Sequence, residues 1–383
     1  MKILHCLYDD KFTDGTIRTY NCDSRHTNKY IVIDDRKVIS SFKYIKCPDV
    51  TCLPSADFLK LAKEYDVVVL HSLQCMSLES IRRIPPVCRV IWYAWGFDFY
   101  CGGNPIVKIN LYQAHTKKFF LLDIVLNHFR RILLYPRVQL ERLSIRRALC
   151  RVDYFSGVFP YEYNLLKQSR PYIHAKPLDF YYGDVDFFVK DNVDYNIDRN
   201  RRDIILGNSG DPSNNHLDAL LILKEVGIPK DSRIIIPLNY GSNPNYKKWI
   251  TKKATTLFPN NVLILDHFLP LKDYLQLVST CKVAIFNHER QQASDNILMQ
   301  LMYGAKVYMP ETSQAYHYLK RVGFRVFSLQ KDIDGLMSGL SDDDIINNRM
   351  LLSKLYSSHT IVDRIKTIND IVSDDIIRHR KYV

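Results

Sequence analysis

Three short stretches carry residue types that can do chemistry. The first is Leu206-Gly-Asn-Ser-Gly-Asp-Pro-Ser-Asn-Asn-His216, between the apolar run Ile204–Leu206 and a helical run over 217–226. Strand, small-residue loop and helix, in that order, can cradle a phosphate. Gly207 and Gly210 let the backbone approach an anion closely and adopt φ > 0. Ser209, Asp211, Ser213 and Asn214 are candidate N-caps, and the free N–H groups and dipole of a helix start favour negative charge. An ordinary capped turn has the same pattern, so the loop alone leaves both readings open.

The second stretch is Phe286-Asn-His-Glu-Arg-Gln-Gln-Ala-Ser-Asp-Asn296, after an apolar run over 283–286 and before a helical one over 297–303. Arg290 suits bidentate pairing with a phosphate or carboxylate. Gln291 and Gln292 can both donate and accept, as sugar hydroxyls require. Asp295 or Asn296 can cap the next helix. The plainer alternative is a surface ion pair between Glu289 and Arg290.

The third is Trp92-Tyr-Ala-Trp-Gly-Phe-Asp-Phe-Tyr100. Asp98 stands among Trp95, Phe97, Phe99 and Tyr100, and desolvation there would raise its pKa towards that of a general base. Aromatic faces also stack on sugars or bases. Alternatively Asp98 caps a helix and the aromatics are core. Asp9 and Asp10 after the first strand, His71, and the run Pro237–Asn243 with Asn239 and Tyr240 are further strand-end candidates. No His/Cys/Asp set has metal-ligand spacing, and neither a Walker A loop nor a G-x-S-x-G elbow occurs.

Strands must hold these loops. Runs over 2–7, 30–33, 67–70 and 87–93 read as buried strands, with helices over 56–64 and 77–84. From 110 to 150 the pattern turns helical, and Pro136 is expected to end a helix. A second alternation follows, with strands over 204–206, 233–237, 262–265, 283–286, 305–309 and 325–327. Its helices fall over 217–226, 245–257, 271–280, 297–303 and 315–322. The predicted architecture is α/β, with two doubly wound, Rossmann-like domains facing a cleft. The predicted boundaries are 1–190, with a basic helical insertion near 103–150, a polar linker over 191–203, 204–358, and a C-terminal helix over 359–383 that can pack back on the first domain.

The chain has 383 residues, too many for one core to be the rule. Nine scattered cysteines with no C-x-x-C pair argue against a disulfide framework and fit a cytosolic protein. The apolar start is too short for a signal peptide, and no segment is long and apolar enough to span a bilayer. The net charge is +12, and between Cys101 and Arg151 ten Lys/Arg face two acids. That local field implies an anionic partner or, more plainly, a solvated face.

Gly207-Asn-Ser-Gly-Asp211 with Ser213, Asn214 and His216, the Pro237–Tyr240 run, Arg290-Gln291-Gln292, and Trp95-Gly96 with Asp98 and Tyr100 together resemble a known family. It is the enterobacterial TDP-N-acetylfucosamine:lipid II N-acetylfucosaminyltransferases, a 4-α-L-fucosyltransferase family. The resemblance runs from the first strand to about Met309. Gly103–His128 stands as an insertion, and Glu289 and Ala293–Asp295 depart from the family pattern. The resemblance implies a GT-B fold and a glycosyltransferase of the fucosyltransferase type. Its donor would be a TDP- or GDP-sugar, its acceptor a lipid-linked glycan, with no metal and no other cofactor. It would work in the cytoplasm, peripheral on the inner membrane, in synthesis of surface polysaccharides such as O-antigen or enterobacterial common antigen. Donor binding then falls to Gly207, Asn208, Ser209, Gly210, Asp211, Asn239, Tyr240, Glu289, Arg290, Gln291, Gln292 and Asp295. Arg290 stabilises the leaving diphosphate, Asp98 takes the acceptor proton or positions the acceptor, and Trp95 and Tyr100 contact substrate. The run Phe119–Tyr135 alternates apolar residues and cations, as a helix lying on anionic lipid does. Two rival readings are a sugar-nucleotide 2-epimerase on a similar fold and a basic nucleic-acid-binding protein. No nucleic-acid motif accompanies the charge, so no nucleic-acid partner is expected.

Overall fold

The computed structural model describes residues 1–35, 41–101, 104–120, 135–186, 200–241 and 243–381. The chain divides into two compact units. The first takes Met1–Lys108, Arg131–Asp184 and Ser358–Val383, and the second Ile109–Arg130 and Val185–Ser357, each as far as it is described.

The first unit is built on a sheet of seven strands: β1 (Lys2–Leu7), β2 (Thr27–Ile33), β3 (Val50–Leu53), β4 (Val67–Leu70), β5 (Arg89–Tyr93), β6 (Tyr154–Ser156) and β7 (Lys176–Pro177). Their order is β3-β2-β1-β4-β5-β6-β7, and every pairing is parallel. Parallel sheets are covered on both faces, so their inner strands are apolar throughout. Val67-Val-Val-Leu70 is fully buried and meets β1 with Ile3 opposite Val67.

The second unit repeats the plan with β8 (Asp203–Leu206), β9 (Ile234–Pro237), β10 (Val262–Leu265), β11 (Cys281–Ile285), β12 (Lys306–Met309) and β13 (Val326–Ser328). The order is β10-β9-β8-β11-β12-β13, again all parallel. Strand order reverses between β1 and β4 and between β8 and β11. In open α/β sheets ligands bind outside the carboxyl ends of the strands at such reversals.

Each unit has its own core. In the second, Ile204, Leu206, Ile234, Ile236, Val283 and Ile285 meet the helices His216–Val226 and Pro244–Leu257. In the first, the C-terminal helix Ser358–Lys381 supplies Ile365, Ile368, Val372 and Ile376, spaced along one helical face. Fully burying such a side chain stabilises by roughly 1.5–3 kcal/mol. Asn369 adds a buried hydrogen bond to Asp23, 3.0 Å.

Several elements differ from the sequence pattern. Residues 109–120, predicted to stand in the first domain, pack in the second unit. There the His115 and Thr116 N–H groups and Thr116 Oγ1 donate to Asp218 at 2.7–2.9 Å. Of the predicted linker, 191–199 lie outside the described residues. Arg201 donates to the Tyr303 and Gly304 carbonyls, and Asp203 already begins β8. Pro136 stands in the first described turn of the helix Tyr135–Leu149, and the helix it is expected to end lies outside the described residues. The run Phe119–Tyr135 lies outside the described residues over 121–134. Among the described residues no helix is long and apolar enough to cross a membrane.

Candidate active site

In the second unit the loops after β8, β9 and β11 are hydrogen-bonded into one surface. Gly207 leaves β8 with φ +72°, and a Cβ there would meet Asn214 Oδ1 at 2.6 Å. Asn214 is the hub. Its Oδ1 accepts from the Asn208 N–H at 3.0 Å and lies 2.8 Å from His288 Nε2, and its Nδ2 donates to the Ser209 and Asp211 carbonyls. The Gly210 N–H donates to the Tyr240 carbonyl, tying in the β9 turn. Gly241, at φ +108°, lets that turn come so close that a Cβ would stand 2.8 Å from the Asp211 nitrogen. Gln292 Nε2 donates to Asn208 Oδ1 at 3.0 Å, and its Oε1 lies 2.6 Å from Ser213 Oγ.

The anion-cradle reading is narrowed by these bonds. The Asn208 and Gly210 N–H groups already have partners inside the protein. Gly210 does not have positive φ, and instead makes room for the Lys247 side chain. Asp211 caps only the short turn Pro212–Asn214. The helix His216–Val226 starts from Asn215 in the left-handed region (φ 50°), and the helix Ser294–Met302 from Ala293 likewise (φ 60°). Neither has a side-chain cap, so neither Ser209, Ser213 and Asn214 nor Asp295 and Asn296 take the capping role the sequence suggests. Asp295 is half-buried in the first turn of its helix. A non-glycine residue in the left-handed region costs about 1–3 kcal/mol and tends to mark functional loops. Among the described residues these are the two cases, one at each of these loops.

Charge in this unit's loops is simple. Burial pushes the His216 pKa down to about 3, and burial, then the Arg290 charge, holds His288 well below the usual imidazole range. Both are neutral at pH 7. Arg290 is half-buried and donates to the Gln291 carbonyl at 2.9 Å, and its buried Nε has no hydrogen-bond partner among the described residues. Glu289 does not pair with it, because Glu289 Oε1 accepts from Gln113 Nε2 at 2.7 Å. Arg290 therefore offers uncommitted donors three residues before Ala293, where the uncapped helix starts. Gln291 is buried, Asn239 is half-buried and Tyr240 is exposed.

The reversal between β1 and β4 in the first unit holds a pocket lined by Tyr8, Asp10, Phe12, His71, Trp95 and Phe97 among others. Trp95 stacks on Tyr182 at 4.3 Å and donates Nε1–H to the His71 carbonyl at 2.7 Å. Phe97 and Tyr8 are exposed at its rim. Asp98 does not line this pocket. It is 8% exposed and belongs to the short helix Gly96–Tyr100. Its Oδ1 accepts from Ser72 Oγ at 2.6 Å, and its Oδ2 from the Leu73 and Trp95 N–H groups at 3.3 and 3.2 Å. Burial still raises its pKa to about 6, and the Ser72 bond opposes the rise. Asp98 is thus the carboxylate that fixes the Trp95 turn. Tyr100, expected to contact substrate, is 4% exposed and donates to Glu162 Oε1 at 2.8 Å, away from the pocket. Asp10 has the opposite profile. It lines the pocket, the Phe12 N–H donates to one of its oxygens at 3.0 Å, and burial raises its pKa against backbone hydrogen bonds from Phe12 and Lys11. Asp10 was legible only as a strand-end acid. Gln113, Asn215 and Asn287 carried no sequence signal, because their partners are more than seventy residues away.

The two parallel sheets, each with the strand-order reversal described, have the GT-B fold, and the match of part of the chain to a transferase family makes it a glycosyltransferase. Residues 160–315, which include the loops after β8, β9 and β11, match the family of 4-alpha-L-fucosyltransferases, glycosyl transferase group 56. Three solved structures show the same fold over almost the whole chain. HepE from Anabaena, in complex with UDP and glucose, is 12% identical with a TM-score of 0.63, covering 97% of this chain and 99% of that one. An OtsA structure without ligand is 8% identical at 0.65, covering 97% and 98%. A glycosyltransferase from Rickettsia africae is 14% identical at 0.62, again covering 97% and 98%. Among the described residues no group of His, Cys, Asp and Glu side chains is placed to hold a metal ion.

Proposed function

We propose that the chain moves a deoxysugar of the fucose or N-acetylfucosamine type from a TDP- or GDP-sugar to a polyprenyl-diphosphate-linked glycan in bacterial surface polysaccharide synthesis. The observation that carries this reading is Arg290. It is a cation with unused donors beside an uncapped helix N-terminus, within the region matching 4-alpha-L-fucosyltransferases. Arg290 and the helix start hold the diphosphate and stabilise the charge that develops as it leaves. The Gly207–Asp211 loop, Asn239 and Tyr240 flank the nucleotide. Glu289, Gln291, Gln292 and Asp295 serve the sugar.

In the first unit the acceptor's sugar lies against Trp95, Phe97 and Tyr8. The base is Asp10 in place of Asp98, whose oxygens are engaged by three donors. The acceptor hydroxyl attacks the anomeric carbon and forms the new C–O bond. The old bond breaks with its electron pair to the diphosphate, and the proton goes to the Asp10 carboxylate. The helix Tyr135–Leu149 supports membrane docking, with Arg137, Arg142, Arg146, Arg147, Leu140 and Leu143 all exposed. Such a face suits the anionic inner-membrane surface on which a lipid-linked acceptor arrives.

A transfer assay with nucleotide sugar and lipid-linked acceptor tests this. Asp10→Asn is expected to lower turnover by roughly 10²–10⁴-fold while leaving donor affinity unchanged. Asp98→Ala is expected to destabilise the first unit by about 1–3 kcal/mol, since the Leu73 and Trp95 N–H groups then lose their acceptor. Near-normal turnover in Asp10→Asn, with turnover abolished in a stably folded Asp98→Asn, would return the base role to Asp98.

A further inference from the structure

The segment 109–120 interrupts the first unit's chain between β5 and β6, yet it folds into the second unit. It is fastened there at three points. Phe119 packs on Tyr246 and Trp249, with ring centroids 5.4 and 5.1 Å apart. Asp218, in the first turn of the helix His216–Val226, accepts from His115 and Thr116. The third point is Gln113, which reaches both loops at the β8/β11 reversal. Its N–H donates to Asn215 Oδ1 at 2.9 Å. Its side-chain amide exchanges two hydrogen bonds with the fully buried Asn287, Nε2 to Oδ1 at 2.9 Å and Nδ2 to Oε1 at 2.8 Å. The same Nε2 donates to Glu289 Oε1 at 2.7 Å.

Glu289 Oε2 has no hydrogen-bond donor among the described residues. One carboxylate oxygen is therefore held by the strap and the other is left to accept. A carboxylate fixed in this way suits sugar hydroxyl or acetamido N–H groups, which donate, and not a phosphate, which repels it. We infer that Gln113 is a positioning residue for donor-sugar selection, aligning Glu289 to accept from the sugar ring of the nucleotide sugar. This rests on the donor reading proposed above. It adds that the sugar's orientation is set by the inserted strap, while the diphosphate is held by Arg290 independently of it.

The experiment compares a nucleoside diphosphate with its nucleotide sugar. Wild type, Gln113→Met, Gln113→Glu and Glu289→Ala are titrated calorimetrically with UDP, GDP and TDP and with their glucose or fucose conjugates. Donor KM is measured alongside. Gln113→Met keeps the bulk and removes the amide, and Gln113→Glu places a second carboxylate against Glu289. Both are expected to bind the diphosphate within twofold of wild type, and to lose tenfold or more in nucleotide-sugar affinity and donor KM. Glu289→Ala should show the same split. Equal losses for diphosphate and nucleotide sugar would make Gln113 a purely structural residue, and no loss for either would remove it from the site; both overturn the inference while leaving the donor reading standing. Failure of wild type to bind any of the nucleotides overturns the donor reading itself, and this inference with it.

Discussion

Replacing Arg290 with alanine is expected to weaken binding of the nucleotide-sugar donor by about 2–5 kcal/mol, the usual cost of truncating one partner of a desolvated, hydrogen-bonded charge pair. That is roughly 30- to 4000-fold in Kd. The fold should survive, because among the described residues the guanidinium makes one hydrogen bond, to the Gln291 carbonyl. Arg290→Lys is expected to recover only part of the loss, since an ammonium carries the charge without the planar fork. Calorimetric titration with thermal unfolding of the same samples separates the two effects. Unchanged donor affinity in Arg290→Ala would remove Arg290 from the diphosphate site.

The second large effect is loss of stability in mild acid. His5 and His71 in the first unit, and His216 and His288 in the second, are almost fully buried. Burial drives the His5 pKa down to about 4 and that of His216 to about 3, and holds His71 and His288 well below the usual value. With folded values depressed below an unfolded value near ~6.5, the unfolded chain binds protons that the folded chain refuses. The stability they contribute is complete above pH 6.5 and is lost as pH falls towards the folded pKa values. At pH 5.5 each histidine removes on the order of 1 kcal/mol. Asp98 opposes this in the first unit. Its folded pKa is raised to about 6, so as pH falls from 6 towards 4 the folded state takes a proton first and gains stability. The pKa of His26, also in the first unit, is lowered by burial and by the N-terminal ammonium, which adds to the loss there. Hydrogen exchange in urea at pH 7.5 and 5.5, read separately over β8–β12 and β1–β5, is expected to show a drop in both units. No drop over β8–β12 would contradict the burial of His216 and His288 as neutral side chains.

Much of the fold was legible because parallel strands buried on both faces leave uninterrupted apolar runs. Val67-Val-Val-Leu70, Ile234-Ile-Ile236 and Val262–Leu265 could hardly be anything else. β6 and β7 were not legible, being three and two residues long, and β7 ends in a proline at the sheet edge. The helix Thr13–Asn21 is polar around most of its surface and buries only Thr13, Thr16, Ile17 and Tyr20, so no apolar stripe marks it. The same contrast holds for the site. The loops after β8 and β11 stand out because small and polar residues follow an apolar strand directly. The choice between Asp98 and Asp10 cannot be read that way. Both are strand-end acids near aromatics, and only the three donors on Asp98 and the place of Asp10 in the pocket wall separate them. Gln113 belongs to the second unit by hydrogen bonds that span 102 to 176 residues, a distance over which a single sequence carries no local pattern.

The central claim is that the loops after β8 and β11 hold the diphosphate of a nucleotide sugar. Calorimetric titration of the whole protein with UDP, GDP and TDP, repeated on Arg290→Ala, tests it most directly. The expected result is one-to-one binding of at least one nucleoside diphosphate to wild type and a loss of 30-fold or more in the variant. No binding of any of the three to wild type, or equal binding by both proteins, would contradict it.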